Sequence, residues 1–336
     1  MRKLGVFILS GFAGVAMLAC SNYTHRAAYA EEKIVCVGGM AAGFTLKSGG
    51  VQIIGMCEII TDNGTISPAL KAGLRPGDRI ISVNGIRLES IEQLNELTEK
   101  SHGDELRIEV ARGGETFTIT LRAAKDKATN RYKIGILARD SVSGIGTITY
   151  IDKKSGRFGA LGHAVLSDAK QELKIADGGV FACSVVGVSK GVRGKAGELR
   201  GLFLNSKTIG KAEKISNCGI FGTVSNQIDV EKYACAVADS YAATPGAAII
   251  YSTIDGEEVK AYDIEIVKVD KNNKDNKNYV LKIVDEELIE NAGGIVQGMS
   301  GSPILQNGKL IGAVTHVFLN DPTRGYGIDI NVMMRE

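Results

Sequence analysis

One stretch of this 336-residue sequence has residue types and spacing suited to nucleophilic catalysis. Ser300 lies in Gly298-Met299-Ser300-Gly301-Ser302-Pro303, with a glycine two residues before it and another directly after. A serine hydroxyl becomes useful when a tight turn holds it clear of the backbone and aims amide N–H groups at the charge developing on the substrate oxygen. Glycine permits such a turn because it enters positive φ without steric cost. Ile304-Leu305, the turn Gln306-Asn307-Gly308 and the strand-like Leu310–Val314 follow, so the candidate nucleophile introduces a β-hairpin.

At its ordinary pKa a serine is inert, so a general base is required. The chain has four histidines. His25 lies beside the apolar N-terminal run and His102 in a loop after an expected helix. His163 lies in Phe158-Gly159-Ala160-Leu161-Gly162-His163-Ala164-Val165, a turn between apolar runs well before the serine, and His316 lies on the strand that follows it. His163 and His316 lack H-x-x-x-H spacing, there is no P-loop or dinucleotide fingerprint, and Cys183, Cys218 and Cys235 lie in no nucleophile motif. No metal and no cofactor are therefore expected. With 40 basic against 38 acidic residues, a net charge of +2 and no basic stripe, nucleic acid is not an expected partner either.

The elements that must position these residues are mainly β. From about 136 to 336, short apolar runs alternate with glycine and polar turns: Gly144–Ile151, Gly179–Val188, Leu199–Leu204, Gly219–Val224, Ala247–Ile254, Tyr262–Val269, Tyr279–Val284 and Lys309–Phe318. Strands at this spacing indicate a sandwich or barrel, and about 200 residues suffice for two small barrels. Residues 34–124 read as a separate compact unit. Asn84-Gly85 marks a type I′ hairpin turn. Ser90-Ile91-Glu92-Gln93 reads as a capping box that opens a helix to about Lys100. Leu106–Ala111 and Thr116–Leu121 alternate around Gly113-Gly114 as a second hairpin. The polar stretch 125–135 suits a linker.

At the N-terminus, Arg2-Lys3 precede an uncharged, mostly apolar run from Leu4 to Cys20, the pattern of an export signal. Residues 1–30 are expected to form a retained membrane anchor; cleavage at Ala28-Tyr29-Ala30 and lipidation at Cys20 are the alternatives. Each places the bulk of the chain outside the cytoplasm. Six cysteines without CxxC read as small buried apolar side chains, with room for one disulfide.

Two motifs carry resemblances. Ala72-Gly73-Leu74-Arg75-Pro76-Gly77-Asp78-Arg79-Ile80-Ile81-Ser82-Val83-Asn84-Gly85 is similar to the PDZ domains of bacterial proteases such as the HtrA class. Such a domain binds an extended peptide as an added strand. By position, Gly43-Phe44-Thr45-Leu46 would supply the carboxylate loop and edge strand, and the helix from Ser90 the opposite wall. Gly298–Pro303 resembles the G-x-S-G-[GS]-P motif of chymotrypsin-like peptidases, which implies a double β-barrel. Carried over, the oxyanion donors are the amides of Gly298 and Ser300, and His163, early in the chain, fits the place of the base better than His316. Met299 replaces the acidic residue that trypsin-type enzymes pair with a new N-terminus, so that activation route is closed.

Gly293–Ile304, Gly312–Val317 and Leu161-Gly162-His163-Ala164, in the order anchor, PDZ, protease, resemble the SpoIVB peptidase family of spore-forming bacteria. The resemblance implies a serine peptidase of sporulation between the two membranes around a developing forespore. It implies that the enzyme cuts its own N-terminal segment and the extracytoplasmic part of a membrane-bound regulatory protein, leading to sigma factor activation. It also favours Asp285 as the carboxylate that orients His163, while Asp168, Asp177, Asp229, Asp239 and Asp263 stay open. The rival reading is a non-catalytic PDZ scaffold that positions membrane partners.

Overall fold

The computed structural model describes residues 32–161, 163, 177–225 and 233–336. The expected anchor segment, the candidate cleavage site at Ala28–Ala30, Cys20, His25, Asp168 and Asp229 lie outside the described residues.

Two closed barrels dominate. The strands, in chain order, begin with β1 (Ile34–Val37) and β2 (Ala41–Met56), followed by β3 (Arg79–Val83), β4 (Glu105–Arg112) and β5 (Glu115–Arg122). Next come β6 (Ile136–Asp152), β7 (Arg157–Ala160), β8 (Asp177–Ser189), β9 (Gly197–Ser216) and β10 (Gly219–Val224). The last are β11 (Ala234–Val237), β12 (Gly246–Ser252), β13 (Lys260–Val269), β14 (Tyr279–Ile283), β15 (Pro303–Gln306), β16 (Lys309–Phe318) and β17 (Asp321–Asp329).

Antiparallel pairing closes the first barrel in the order β2-β6-β7-β10-β9-β8 and back to β2. The second closes as β12-β13-β14-β17-β16-β15 and back to β12. Alternation explains which faces turn inward: Tyr262, Ile264 and Ile266 of β13, and Tyr279, Leu281 and Ile283 of β14, are buried at every second position. One hydrophobic cluster runs through the second barrel and takes in Cys183, Val185 and Leu199 of the first, so the barrels share a packed interface. β1 ties them further, pairing with β6 on one side and β11 on the other, while β11 runs parallel to β16. Each candidate strand from 144 onward overlaps an observed one.

The PDZ-like unit does not precede the barrels; it is inserted into one of their hairpins. β2 and β6 pair in the first barrel from Ala41↔Thr147 to Lys47↔Ser141, then again farther out from Gln52↔Arg139 to Met56↔Ile136. Between the two stretches β2 bends at Gly49 and Gly50 (φ +71° and +82°), where a Cβ on Gly50 would stand 2.4 Å from the Ile80 carbonyl oxygen. Beyond that bend Val51 pairs with Ile80 of β3, and Val51, Ile53, Ile80, Val83, Leu106, Ile108 and Val110 form a separate core. Helix α1 (Pro68–Lys71) and helix α2 (Ile91–Lys100) complete this unit. Asn84 and Gly85 both have positive φ, as the hairpin turn demands, and the Ser90 hydroxyl accepts from the Gln93 amide at the start of α2.

Three expectations are corrected. Residues 34–47 belong to the barrels, so the boundary at 34–124 is wrong at its start. Gly43-Phe44-Thr45-Leu46 is not the edge of a peptide groove: it pairs with 142–145 of β6 on one side and 178–181 of β8 on the other, and Phe44 and Leu46 are core. Nor is 125–135 a free linker. Ala124–Lys125 pairs with Tyr132–Lys133, the Lys127 amide donates to Ile60, and Ile134 is buried. The helix expected from Ser90 is α2, and the groove along it, about 650 Å³, is faced by Tyr132–Ile136 and Ala138.

Candidate active site

The Ser300 turn is two tight turns in series. The Met299 amide donates to Val296 O at 3.1 Å and the Ser302 amide to Met299 O at 2.9 Å. The third residue of each turn is a glycine at positive φ, Gly298 at +100° and Gly301 at +96°. L-residues avoid that region. At Gly301 space forbids a side chain as well, since a Cβ would lie 2.1 Å from Thr147 O and 2.5 Å from Leu161 N.

The first barrel clasps this turn. Thr147 donates its amide to Ser300 O (2.9 Å) and its hydroxyl to Gly298 O (2.8 Å). The buried Thr149 hydroxyl donates to Gly301 O at 2.7 Å. From the second barrel, Gly301 N donates to Val314 O (2.8 Å) and Val314 N to Ser302 O (2.9 Å), while the Ser302 and Ser252 hydroxyls lie 3.0 Å apart. With its carbonyls engaged, the turn is fixed. The Ser300 amide has no backbone acceptor among the described residues, the condition for an oxyanion donor.

Ser300 is half-buried and its hydroxyl donates to Thr315 O at 2.8 Å. His163 reaches the same place from the first barrel. β7 ends at Ala160, Leu161 takes a positive φ of 72°, and its amide donates to Thr147 O at 3.3 Å. Thr147 thus holds the serine turn through its amide and the histidine turn through its carbonyl. The His163 ring centroid is 4.9 Å from that of His316, with the planes 40° apart. Burial of the His316 ring, the neighbouring His163 and Lys277 push its pKa down to about 4. The residue keeps an exposed face, where solvent weakens such effects, but the direction makes it neutral near pH 7.

Asp285 lies at the start of a helix. It is the N-cap of helix α3 (Glu286–Ala292): Oδ1 accepts from the Leu288 amide at 2.8 Å and Oδ2 from the Asp263 amide at 3.3 Å. Asp285 follows β14 whereas Lys277, whose charge acts on His316, precedes it. The five residues of β14 separate the two ends by about 16 Å. Asp263 and Asp239 are exposed, and the backbone of Asp177 pairs with that of Lys47 where β8 begins. Sequence reasoning misses Thr147 and Thr149. Their one signal is two hydroxyls at alternate positions of the apolar run Gly144–Ile151. Among the described residues no group of three or more His, Cys, Asp or Glu is placed to hold a metal, and Cys57, Cys183 and Cys218 are free thiols.

Residues 130–334 match the family described as SpoIVB peptidase S55, and residues 59–112 match a PDZ domain. The chain belongs to the SpoIVB peptidase S55 family. Its S55 region begins within the insert, so β1 and β2, which complete the barrels, come from upstream of the matched residues. Curated relatives include a putative zinc metalloprotease of Mesorhizobium japonicum, 27% identical over 40% of this chain and 39% of the relative. Another, from Neisseria meningitidis, is 32% identical over 31% and 24%. The zinc metalloprotease RasP of Shouchella clausii is 36% identical over 20% and 16%. The S55 chain therefore matches well under half the length of each of these relatives. Among solved structures, the Rv3671c protease in its inactive form is 14% identical over 57% of this chain and 81% of its own, with a TM-score of 0.33. The PDZ domain of the SdrC-like protein from Listeria monocytogenes is 23% identical over 26% and 86%, with a TM-score of 0.22.

Proposed function

We propose that this S55 chain is a serine endopeptidase. One observation carries the reading: Thr147 holds the Ser300 turn and the His163 turn side by side at the junction of two barrels. The hydroxyl of Ser300 leaves Thr315 O and attacks the scissile carbonyl carbon while His163 takes its proton. The amides of Gly298 and Ser300 hold the oxyanion. His163 returns the proton to the departing amine, and water then cleaves the acyl-enzyme by the same steps in reverse. The resemblance favours Asp285 for orienting the base; both its oxygens accept from backbone amides, and the proposal rests on Ser300 and His163.

Family membership supports a place in sporulation. Substrates on this reading are the chain's own N-terminal segment and the extracytoplasmic part of a membrane regulatory protein whose cutting leads to sigma factor activation. The apolar run from Leu4 to Cys20 supports an extracytoplasmic, membrane-anchored or released protein. The groove along α2 is the proposed recruitment site: 136–139 of β6 pair with β2 on one edge and leave the other toward α2 for an added peptide strand.

The deciding experiment is Ser300→Ala in the full chain, with folding checked by circular dichroism. Loss of both self-processing and cleavage of unfolded casein is expected. Persistence of both would remove the enzyme reading in favour of the scaffold.

A further inference from the structure

Two hairpin ends meet on the surface where β16 runs out from the site, and the scheme above makes no use of them. Between β8 and β9, Val192 and Lys195 exchange both backbone hydrogen bonds, at 3.0 and 2.9 Å, around an Arg193-Gly194 turn with Gly194 at φ +88°. The Gly194 amide donates to Leu319 O at 2.7 Å, and Leu319-Asn320 is the turn that joins β16 to β17. Below the turn, Gly191 N donates to Ala292 O at the end of α3 (2.8 Å), and a Cβ on Gly191 would stand 3.1 Å from Pro322 Cβ. The two ends therefore form one braced tip.

Its side chains are of two kinds. Val192 is 55% exposed and Leu319 57%. Lys190, Arg193 and Lys195 are exposed as well, and no ion pair among the described residues engages any of them. The acids nearest in the chain are occupied or set back. Asp321 holds Arg324 at 3.4 Å and the Thr323 hydroxyl at 2.6 Å, and Glu198 lies below the turn, paired through its backbone with Ser189.

We infer that this tip docks on an anionic lipid bilayer. Apolar side chains at the end of a braced hairpin enter the boundary between headgroups and acyl chains, while the cations beside them meet lipid phosphates. An acidic protein segment would match the charges but leave Val192 and Leu319 in water. The apolar run from Leu4 to Cys20 independently supports a membrane as the working surface. The inference does not depend on Ser300. On the peptidase reading it adds a consequence, because Leu319 lies four residues beyond Thr315, whose carbonyl takes the Ser300 hydroxyl. A docked tip then keeps the nucleophile within about 13 Å of strand from the lipid surface. Bonds close to the membrane are the ones in reach.

The chain contains no Trp, so Leu319→Trp and Val192→Trp each place a sole indole at the tip. Ile60→Trp, at an exposed position on the inserted unit, is the reference. Each full-length variant, checked for a wild-type thermal midpoint, is mixed with vesicles of phosphatidylcholine alone or with about one quarter phosphatidylglycerol, part of the acyl chains being brominated. Both tip indoles are expected to shift to the blue and to be quenched by bromine in the anionic vesicles, while Ile60→Trp does neither. Replacing Lys190, Arg193 and Lys195 by Gln in Leu319→Trp should lower the docked-to-free ratio about a hundredfold, roughly fivefold per cation, and so abolish the quenching. No quenching of either tip indole, equal quenching in phosphatidylcholine alone, equal quenching of Ile60→Trp, or quenching that survives the triple replacement overturns the inference. So does a blue shift produced by polyglutamate or glycerol phosphate and not by vesicles, which would give the tip to an acidic segment or a free anion. Ser300→Ala in the casein assay stays the separate test of the peptidase reading; absence of docking in a chain that cleaves casein removes only the membrane role.

Discussion

His316 combines an exposed face with a ring held in its neutral form, and that has a consequence for stability. In an unfolded chain a histidine titrates near about pH 6.5. The folded protein lowers this to about 4 through burial, His163 and Lys277. On acidification the unfolded state takes up the proton first, so stability is full above about pH 6.5 and declines toward about pH 4. Exposure screens the effect and keeps it small. The thermal midpoint of the wild type should therefore fall more steeply between pH 7 and 4 than that of His316→Gln; parallel curves would show that His316 titrates normally. This residue also marks the limit of sequence reasoning. Ser300 and His163 are legible because nucleophilic chemistry demands a glycine turn and the motif's order demands an early base. A lone histidine on a strand carries no such demand. At Asp285 a second role is legible: Asp-Glu-Glu before an apolar helix face has the composition of an N-cap, and the structure uses it as one.

At the scale of elements, the hairpin formed by β2 and β6 is the hardest feature to read. Alternating apolar residues announce that 41–56 is extended, but not that its partner begins some 80 residues later. Two short apolar runs beside a PDZ-like motif read naturally as part of it. The motif itself, with its Asn84-Gly85 turn and the Ser90 cap, is legible because those signals are local. The insertion predicts which excisions the fold tolerates. Deleting residues 34–124 removes β1 and β2 and so opens the first barrel; that variant should be unfolded by circular dichroism and rapidly degraded by added protease. Lys47 and Ser141, in contrast, are cross-strand partners, about 5 Å apart by strand geometry. Replacing 48–140 with a two-residue Asn-Gly turn should therefore leave a folded, cooperatively melting pair of barrels. If the longer excision failed to fold while deletion of 34–124 succeeded, the assignment of β2 to the barrel would be wrong.

For the whole molecule, the proposed catalytic geometry is a property of the junction between the barrels. The Ser300 turn belongs to the second barrel, yet Thr147 and Thr149 of β6 hold the carbonyls of Gly298, Ser300 and Gly301. The same 17-residue strand borders the α2 groove at its other end. Both threonines are buried, so replacing either by valine preserves shape while leaving a carbonyl without its donor. The cost is about 1–3 kcal/mol of stability each. Thr147→Val keeps its amide bond to Ser300 and loses only the bond to Gly298; Thr149→Val frees Gly301. Each should lower kcat more than it raises KM, because the turn loosens around Ser300 without changing where a peptide lies. Since both act on one turn, the double variant should lose less stability than the sum of the two, by about 0.5 kcal/mol or more. Denaturant melts of the four proteins measure that difference directly, and strict additivity would mean that the two threonines support separate structures rather than one clasp.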